Sequence, residues 1–359
     1  MQEAASSNST SKHDRKAPTR TRLGGLAAAL AIAATVTAAN ASQPSPAEAA
    51  QAAEPDGQSA KNPVSASINA VTHEIALPPE LEWPNGIAFD GRNRLLVGAI
   101  TEPAILRFEN GAWTITEIAA PGVFSVTSLT YDSERDLVWG TSPAFLEEDS
   151  DRRHGLYALN SESLEMARFL RLPDDGFAND TEIAADGSLL VTDSVNGRVL
   201  AYDWARDEFD MLIEDERLRP LERVGAAGIT ADADGRVYIA NFETGRLFVL
   251  MDGVLRRIEL PRRLENPDGL AFTGNGALLA VEGAVQSGDG RLIRVPDPAE
   301  PGLRRLEILL DRLESPVNLT VDASEAIYVT ESRIRRRIGP TPTQADPAGF
   351  RVVVFGQSS

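Results

Sequence analysis

Six positions, Asn85, Thr127, Asn179, Ala227, Asp268 and Val317, recur at intervals of 41 to 52 residues, Ala227 to Asp268 being the shortest and Thr127 to Asn179 the longest. Four of them carry a side-chain oxygen. If these residues converge from separate directions, they form the start of a site for a hard cation such as calcium, which takes six to eight oxygens at about 2.3–2.6 Å. Other chemistries are excluded at once. The chain has no cysteine, so disulfides, zinc–thiolate sites, iron–sulfur clusters and cysteine nucleophiles are ruled out. Its three histidines are His13, His73 and His154, and His13 falls in a segment that reads as removable. A three-histidine zinc site is therefore excluded, and a Ser-His-Asp triad has two candidate bases. A net charge of −18 speaks against a nucleic-acid partner, because clustered positive charge drives such binding.

The elements that position the six residues repeat with them. PNGIAFDGRNRLLVGAI from Pro84, VTSLTYDSERDLVWGTS from Val126 and ANDTEIAADGSLLVTDS from Ala178 align with three further segments. These are AAGITADADGRVYIANF from Ala226, PDGLAFTGNGALLAVEG from Pro267 and PVNLTVDASEAIYVTES from Pro316. Each has a short apolar run, a tight turn and a second apolar run, which is a β-hairpin written six times. Two more strand-like pieces follow most hairpins, such as AILRFE with WTITEI and RLFVLM with LRRIEL. Four strands per unit of about 40–50 residues predict an all-β, six-bladed propeller over residues 71–356. The sixth unit ends in FRVVVFG and lacks a fourth strand, while His73–Leu77 is an orphan strand ahead of the first unit. Pairing the two closes the ring and protects its sheet edges.

Ahead of the propeller, Lys12, Arg15, Lys16, Arg20 and Arg22 precede an uncharged, alanine-rich stretch from Leu23 to Ala39 and a small-x-small exit at Ala39-Asn40-Ala41. That pattern predicts a signal peptide over residues 1–41, hence a secreted or otherwise exported protein. The stretch falls short of the roughly 20 apolar residues that a spanning helix needs, so no membrane span is expected in the mature chain. Residues 42–70 are rich in Ala, Ser, Gln and Pro and read as a disordered linker.

Within the repeats, Asn85 and Asp268 sit in Pro-Asn-Gly and Pro-Asp-Gly, where turn chemistry competes with a ligand role. Asn179 is followed by Asp180, which weakens the turn explanation. Asp186, Asp234 and Asn275 read as hairpin-turn residues. Asp193, Glu282 and Glu331, which end second strands, read as structural. His73 and His154 read as surface or packing residues, and Arg333, Arg335, Arg336 and Arg337 as a solvated loop face.

The segments WPNGIAFDGRNRLLVG, FANDTEIAADGSLLVTDS and NPDGLAFTGNGALLAVEG resemble the SMP-30/gluconolactonase/luciferin-regenerating-enzyme superfamily of six-bladed propellers. The resemblance implies a divalent cation, usually calcium, held by a Glu, two Asn and an Asp from different blades. Asn179 matches one family asparagine and Asp268 the family aspartate. Asn85 stands where the family has Glu, and Ala227 where it has its other Asn, so the site keeps one carboxylate instead of two. On this reading Asn85, Asn179 and Asp268 are the metal ligands and Asp268 is also the catalytic residue. Glu82 or Asp180 could compensate for the missing ligands, and Thr127 and Asp180 are expected at the substrate. The implied activity is metal-dependent hydrolysis of a small lactone or related ester, a sugar lactone among the candidates. The alternative is a non-catalytic propeller that binds a small ligand or a protein partner. A third reading, metal-free chemistry as in strictosidine-synthase-like propellers, finds no catalytic acid in the sequence. Loops 144–154 and 283–289 are expected to set specificity.

Overall fold

A computed structural model describes residues 70–143, 155–340, 342 and 349–357. The expected leader, the linker up to its last residue and the loop 144–154, with His154, lie outside the described residues.

The described chain forms six four-stranded antiparallel sheets. In five of them the strands follow one another outward in sequence order, beginning from inner strands Pro84–Phe89, Ser128–Asp132, Ala178–Ile183, Ala226–Ala231 and Pro267–Phe272. The sixth runs outward from Pro316–Val321 through Ile327–Glu331 and Arg351–Gln357 to Ala70–Ala76. Successive inner strands are neighbours, and the first also contacts the sixth, so the sheets form a six-bladed ring about a central channel. The strand Ala70–Ala76 lies antiparallel to Arg351–Gln357, Ala70 opposite Gln357 and Ala76 opposite Arg351. It begins three residues earlier than the apolar pattern suggests, and His73 is exposed on it.

Burial explains the strand sequences. Second strands are covered on both faces by adjacent blades and are apolar almost throughout: Leu189–Asp193, Val237–Asn241 and Leu278–Glu282 are buried at every position. Outer strands such as Ala112–Glu117 are mostly exposed. The core is accordingly a set of apolar layers between blades. One packs Leu190, Val199, Ile229, Ile239 and Phe248; another packs Trp139, Leu156, Leu189, Val191 and Tyr202. The hairpin turns use the expected residues. Gly187, Gly235 and Gly276 have φ of 82°, 78° and 80°, a region that only glycine enters without strain. Asp186 accepts from the Ser188 amide at 3.0 Å, and Asp234 pairs with Arg236 at 2.6 Å.

Candidate functional site

Each inner strand enters the channel through a local irregularity. Pairing with the second strand shifts register just after the recurrent residue in five blades: between Pro84 and Ile87, Ala178 and Thr181, Ala226 and Ile229, Pro267 and Leu270, and Pro316 and Asn318. Such bulges re-aim side chains. In the three blades whose inner strand starts with proline, the preceding residue is left-handed: Trp83, Asn266 and Ser315 at φ of 54°, 52° and 50°. Surrounding packing holds this costly backbone in place. Trp83, for example, is buried with its ring 5.4 Å from that of Phe350.

The consequence is a mouth that gathers Asn85, Thr127, Asn179, Asp268 and Val317 around one cavity of about 560 Å³. Ala227, the sixth recurrent residue, is fully buried behind the wall against Phe177 and Val224. Threonines on second strands hold the ring by its backbone. Thr141 donates to the Asn179 carbonyl at 2.8 Å, Thr192 to that of Ala227 at 2.6 Å and Thr330 to that of Asn85 at 2.9 Å. Each of these bonds crosses to the next blade, so neighbouring blades fix one another's ring residue. The sequence analysis did not single out these threonines, although Thr sits at the same place in three hairpins.

The polar side chains of the mouth are unequal. Asn179 Nδ2 donates to Ser194 Oγ at 2.9 Å, its Oδ1 has no hydrogen-bond donor among the described residues, and Ser194 in turn donates to the Ala226 carbonyl. The Thr127 hydroxyl is shared with that of Thr141 at 2.7 Å. Neither the Asn85 amide nor the Asp268 carboxyl has a hydrogen-bond partner among the described residues. Asp268 keeps a window onto the cavity and is otherwise walled in. Burial, and then the charge of Asp180, push its carboxyl well above the usual carboxylate range.

Asp180 does not join this group. It lines a second cavity, of about 950 Å³, together with Glu182, Thr130, Thr230 and Thr320 on the inner strands. Its carboxylate accepts from the amides of Thr181 at 3.0 Å and Ile229 at 3.1 Å, and from the Ser128 hydroxyl. One side chain thus ties the second, third and fourth blades. Its position aligns with Gly86, Gly228 and Gly269, where strands approach so closely that a Cβ on Gly228 would stand 2.0 Å from the Asp268 carbonyl oxygen. An aspartate in register with three glycines is a legible signal for a side chain that fills the channel. Burial raises the Asp180 carboxyl to about 6 despite these hydrogen bonds, and burial followed by the Asp180 charge raises Glu182 to about 8. Glu82 does not line the mouth either; its backbone amide donates to the Glu102 carboxylate at 3.3 Å at the start of the first blade. Among the described residues, no three His, Cys, Asp or Glu side chains cluster as a metal site.

The walls of the mouth are apolar: Ile100, Phe177, Val224, Phe242, Val285, Ile334 and Ile338. Buried acids anchor the loops that supply them. Asp193 accepts from the Phe177 amide at 2.9 Å, Glu282 from Glu265 at 2.9 Å and Glu331 from Glu314 at 2.7 Å. Arginines complete these anchors: Arg198 on Asp193, Arg262 on Glu282 and Arg351 on Glu331. The structural reading of these three acids holds. Glu243 gathers four consecutive amides, Leu221 to Val224, at 2.6–2.7 Å, and so holds Val224 against the cavity. The expected solvated arginine face needs correction. Residues Arg335–Ile338 form a short helix, with Ile334 and Ile338 turned to the mouth. Arg333, Arg335 and Arg336 are partly buried, Arg336 pairs with Glu314 at 2.6 Å, and Arg337 alone is exposed, lying over the Trp83 ring. Its aliphatic neighbours draw the segment down onto the propeller. Of the two loops expected to set specificity, 283–289 contributes Gly283 and Val285 to the wall.

No protein-family profile and no curated protein sequence matches the chain. Solved structures do. Virginiamycin B lyase from Staphylococcus aureus is similar at 13% identity and a TM-score of 0.56, over 80% of this chain and 99% of that one. A luciferin-regenerating enzyme gives 11% and 0.55 over 80% and 95%. The PQQ-bound aldose sugar dehydrogenase from Streptomyces coelicolor gives 14% and 0.56 over 80% and 98%. At these identities the likeness is one of fold. The architecture is a six-bladed propeller, and enzymes are among the structures that share it.

Proposed function

We propose that the chain is a hydrolase of small lactones or related esters, with its reaction centred on Asp268. The observation that carries this reading is a carboxyl without a hydrogen-bond partner among the described residues, facing an apolar-walled cavity that it shares with amides from two other blades. The same arrangement fits a divalent cation, calcium first, with Asp268, Asn85 and Asn179 as protein ligands and water completing the shell. One carboxylate among three donors makes this a site of modest affinity. Bound there, a cation supplies Lewis-acid polarisation of the substrate carbonyl.

The protein's own groups carry the rest. Burial makes Asp268 a stronger base than a surface carboxylate. As the water oxygen bonds to the carbonyl carbon, its proton passes to Asp268. The acyl C–O bond then breaks and that proton returns to the departing ring oxygen, giving a hydroxy acid. Asn85 and Asn179 orient the carbonyl, and the apolar walls limit competing water. The expected setting is outside the cytoplasm, on the strength of the leader sequence alone.

Calorimetric calcium titration of the protein and of Asp268→Ala tests the site. Binding by the first and none by the second is expected, together with lactone turnover that EDTA abolishes. Equal binding by both, or by neither, overturns the metal-dependent reading. A second reading, a non-catalytic binding propeller, draws on Ala227 and Val317, which put methyl groups at two of the six recurrent positions. Ligand binding with no turnover of any lactone or ester favours it.

A further inference from the structure

From the distribution of polar groups in the mouth we infer that its ligand is uncharged and apolar-bodied, with a single carbonyl-type head, and is not a sugar lactone. The inference rests on the lactone or ester reading of the site and narrows its substrate class. Among the described residues, every hydrogen-bonding side chain that lines the mouth lies at the ring: Asn85, Thr127, Asn179 and Asp268. The Thr127 hydroxyl and the Asn179 Nδ2 are already engaged, so free capacity concentrates at Asn85, Asp268 and the Asn179 oxygen. Above that floor the described side chains are hydrocarbon, with Phe177, Val224, Phe242, Val285 and Ile334 facing the cavity from five different connections.

A sugar lactone carries a hydroxyl on nearly every ring carbon. Each one desolvated without a partner costs about 1–3 kcal/mol, and these walls offer none. An alkyl substituent meets the opposite situation, gaining about 0.8 kcal/mol per buried methylene. Charge points the same way. No Lys, Arg or His is among the described lining residues, while Asp268 is, so the described side chains offer an anionic ligand no counter-charge.

The experiment compares γ- and δ-lactones bearing alkyl tails of increasing length with glucono-δ-lactone. Turnover and binding are measured separately, the latter by calorimetry with 2-alkylcyclopentanones, which cannot be hydrolysed. The expected result is kcat/KM rising about fourfold per added methylene over the first few carbons, matched by tighter ketone binding, with glucono-δ-lactone the poorest substrate. Val317→Thr, which replaces one wall methyl by a hydroxyl at constant shape, is expected to flatten the chain-length trend. Preferred hydrolysis of glucono-δ-lactone overturns the inference and leaves the hydrolase standing. Ketones that bind with the chain-length trend while no lactone is turned over overturn the hydrolase and leave the ligand class standing. A flat series for both readouts, or an unchanged trend in Val317→Thr, overturns the inference.

Discussion

The two ends of the central channel hold carboxyl groups in opposite circumstances. At one end Asp180 is surrounded by donors, two backbone amides and a hydroxyl contributed by three blades, and Glu182 beside it accepts from its own strand and from Thr230. At the other end Asp268 faces a cavity with hydrocarbon walls and accepts no hydrogen bond from the described residues. All three acids hold their protons more tightly than a surface carboxylate, so a raised affinity for protons does not separate them. Hydrogen bonding does. A buried acid whose lone pairs are spent on amides is part of the scaffold, and one whose lone pairs are unspent is available to a ligand.

Substitutions can break or sharpen that contrast. The largest effect is expected from Asp180→Ala, which strips the Thr181 and Ile229 amides of their acceptor and costs about 3 kcal/mol of stability, read by urea denaturation. Next is Glu182→Gln, whose effect depends on pH. Burial, and then the charge of Asp180, push the folded group up to about 8 from its ordinary 4.5, so between those values the folded chain binds more protons than the unfolded one. Stability contributed at this site is therefore complete below pH 4.5 and falls as pH rises to 8. The neutral glutamine removes that loss. At pH 8 it is expected to be more stable than the parent by about 2 kcal/mol, less than the full linkage value because the cavity is open to water, and the two should converge near pH 4.5. Thermal melts at both pH values check the sign, and a gain of equal size at pH 4.5 refutes it. The smallest effect is expected from Asp268→Asn: unchanged or up to about 1 kcal/mol more stable, since no hydrogen bond is lost and a buried charge is removed. Destabilisation comparable to that of Asp180→Ala would erase the distinction between the two ends.

The contrast was only half legible in the sequence. The propeller was, because each blade repeats a hairpin whose two apolar runs and glycine turn are local features. Counting equivalent positions was enough to bring Asn85, Thr127, Asn179 and Asp268 to one cavity. Asp180 lies apart from the mouth for a specific reason. A bulge separates its aim from that of Asn179, and bulges arise from pairing between strands, which single-strand patterns do not record. The walls were hidden for a related reason. Val224 and Ile338 come from connections of different length in different blades, so no repeat aligns them. The arginine-rich segment read as solvated because its charges outnumber the two isoleucines that settle its orientation.

The paired acid-and-arginine anchors beneath the mouth have a consequence for how such a protein could change over generations. Asp193, Glu282 and Glu331 each fasten one connection to its own neighbourhood, independently of the threonines that bind blade to blade. A connection can therefore be lengthened, shortened or exchanged while its fastening residue stays in place. Selectivity becomes a property of interchangeable panels, revised one at a time above a frame that need not be rebuilt.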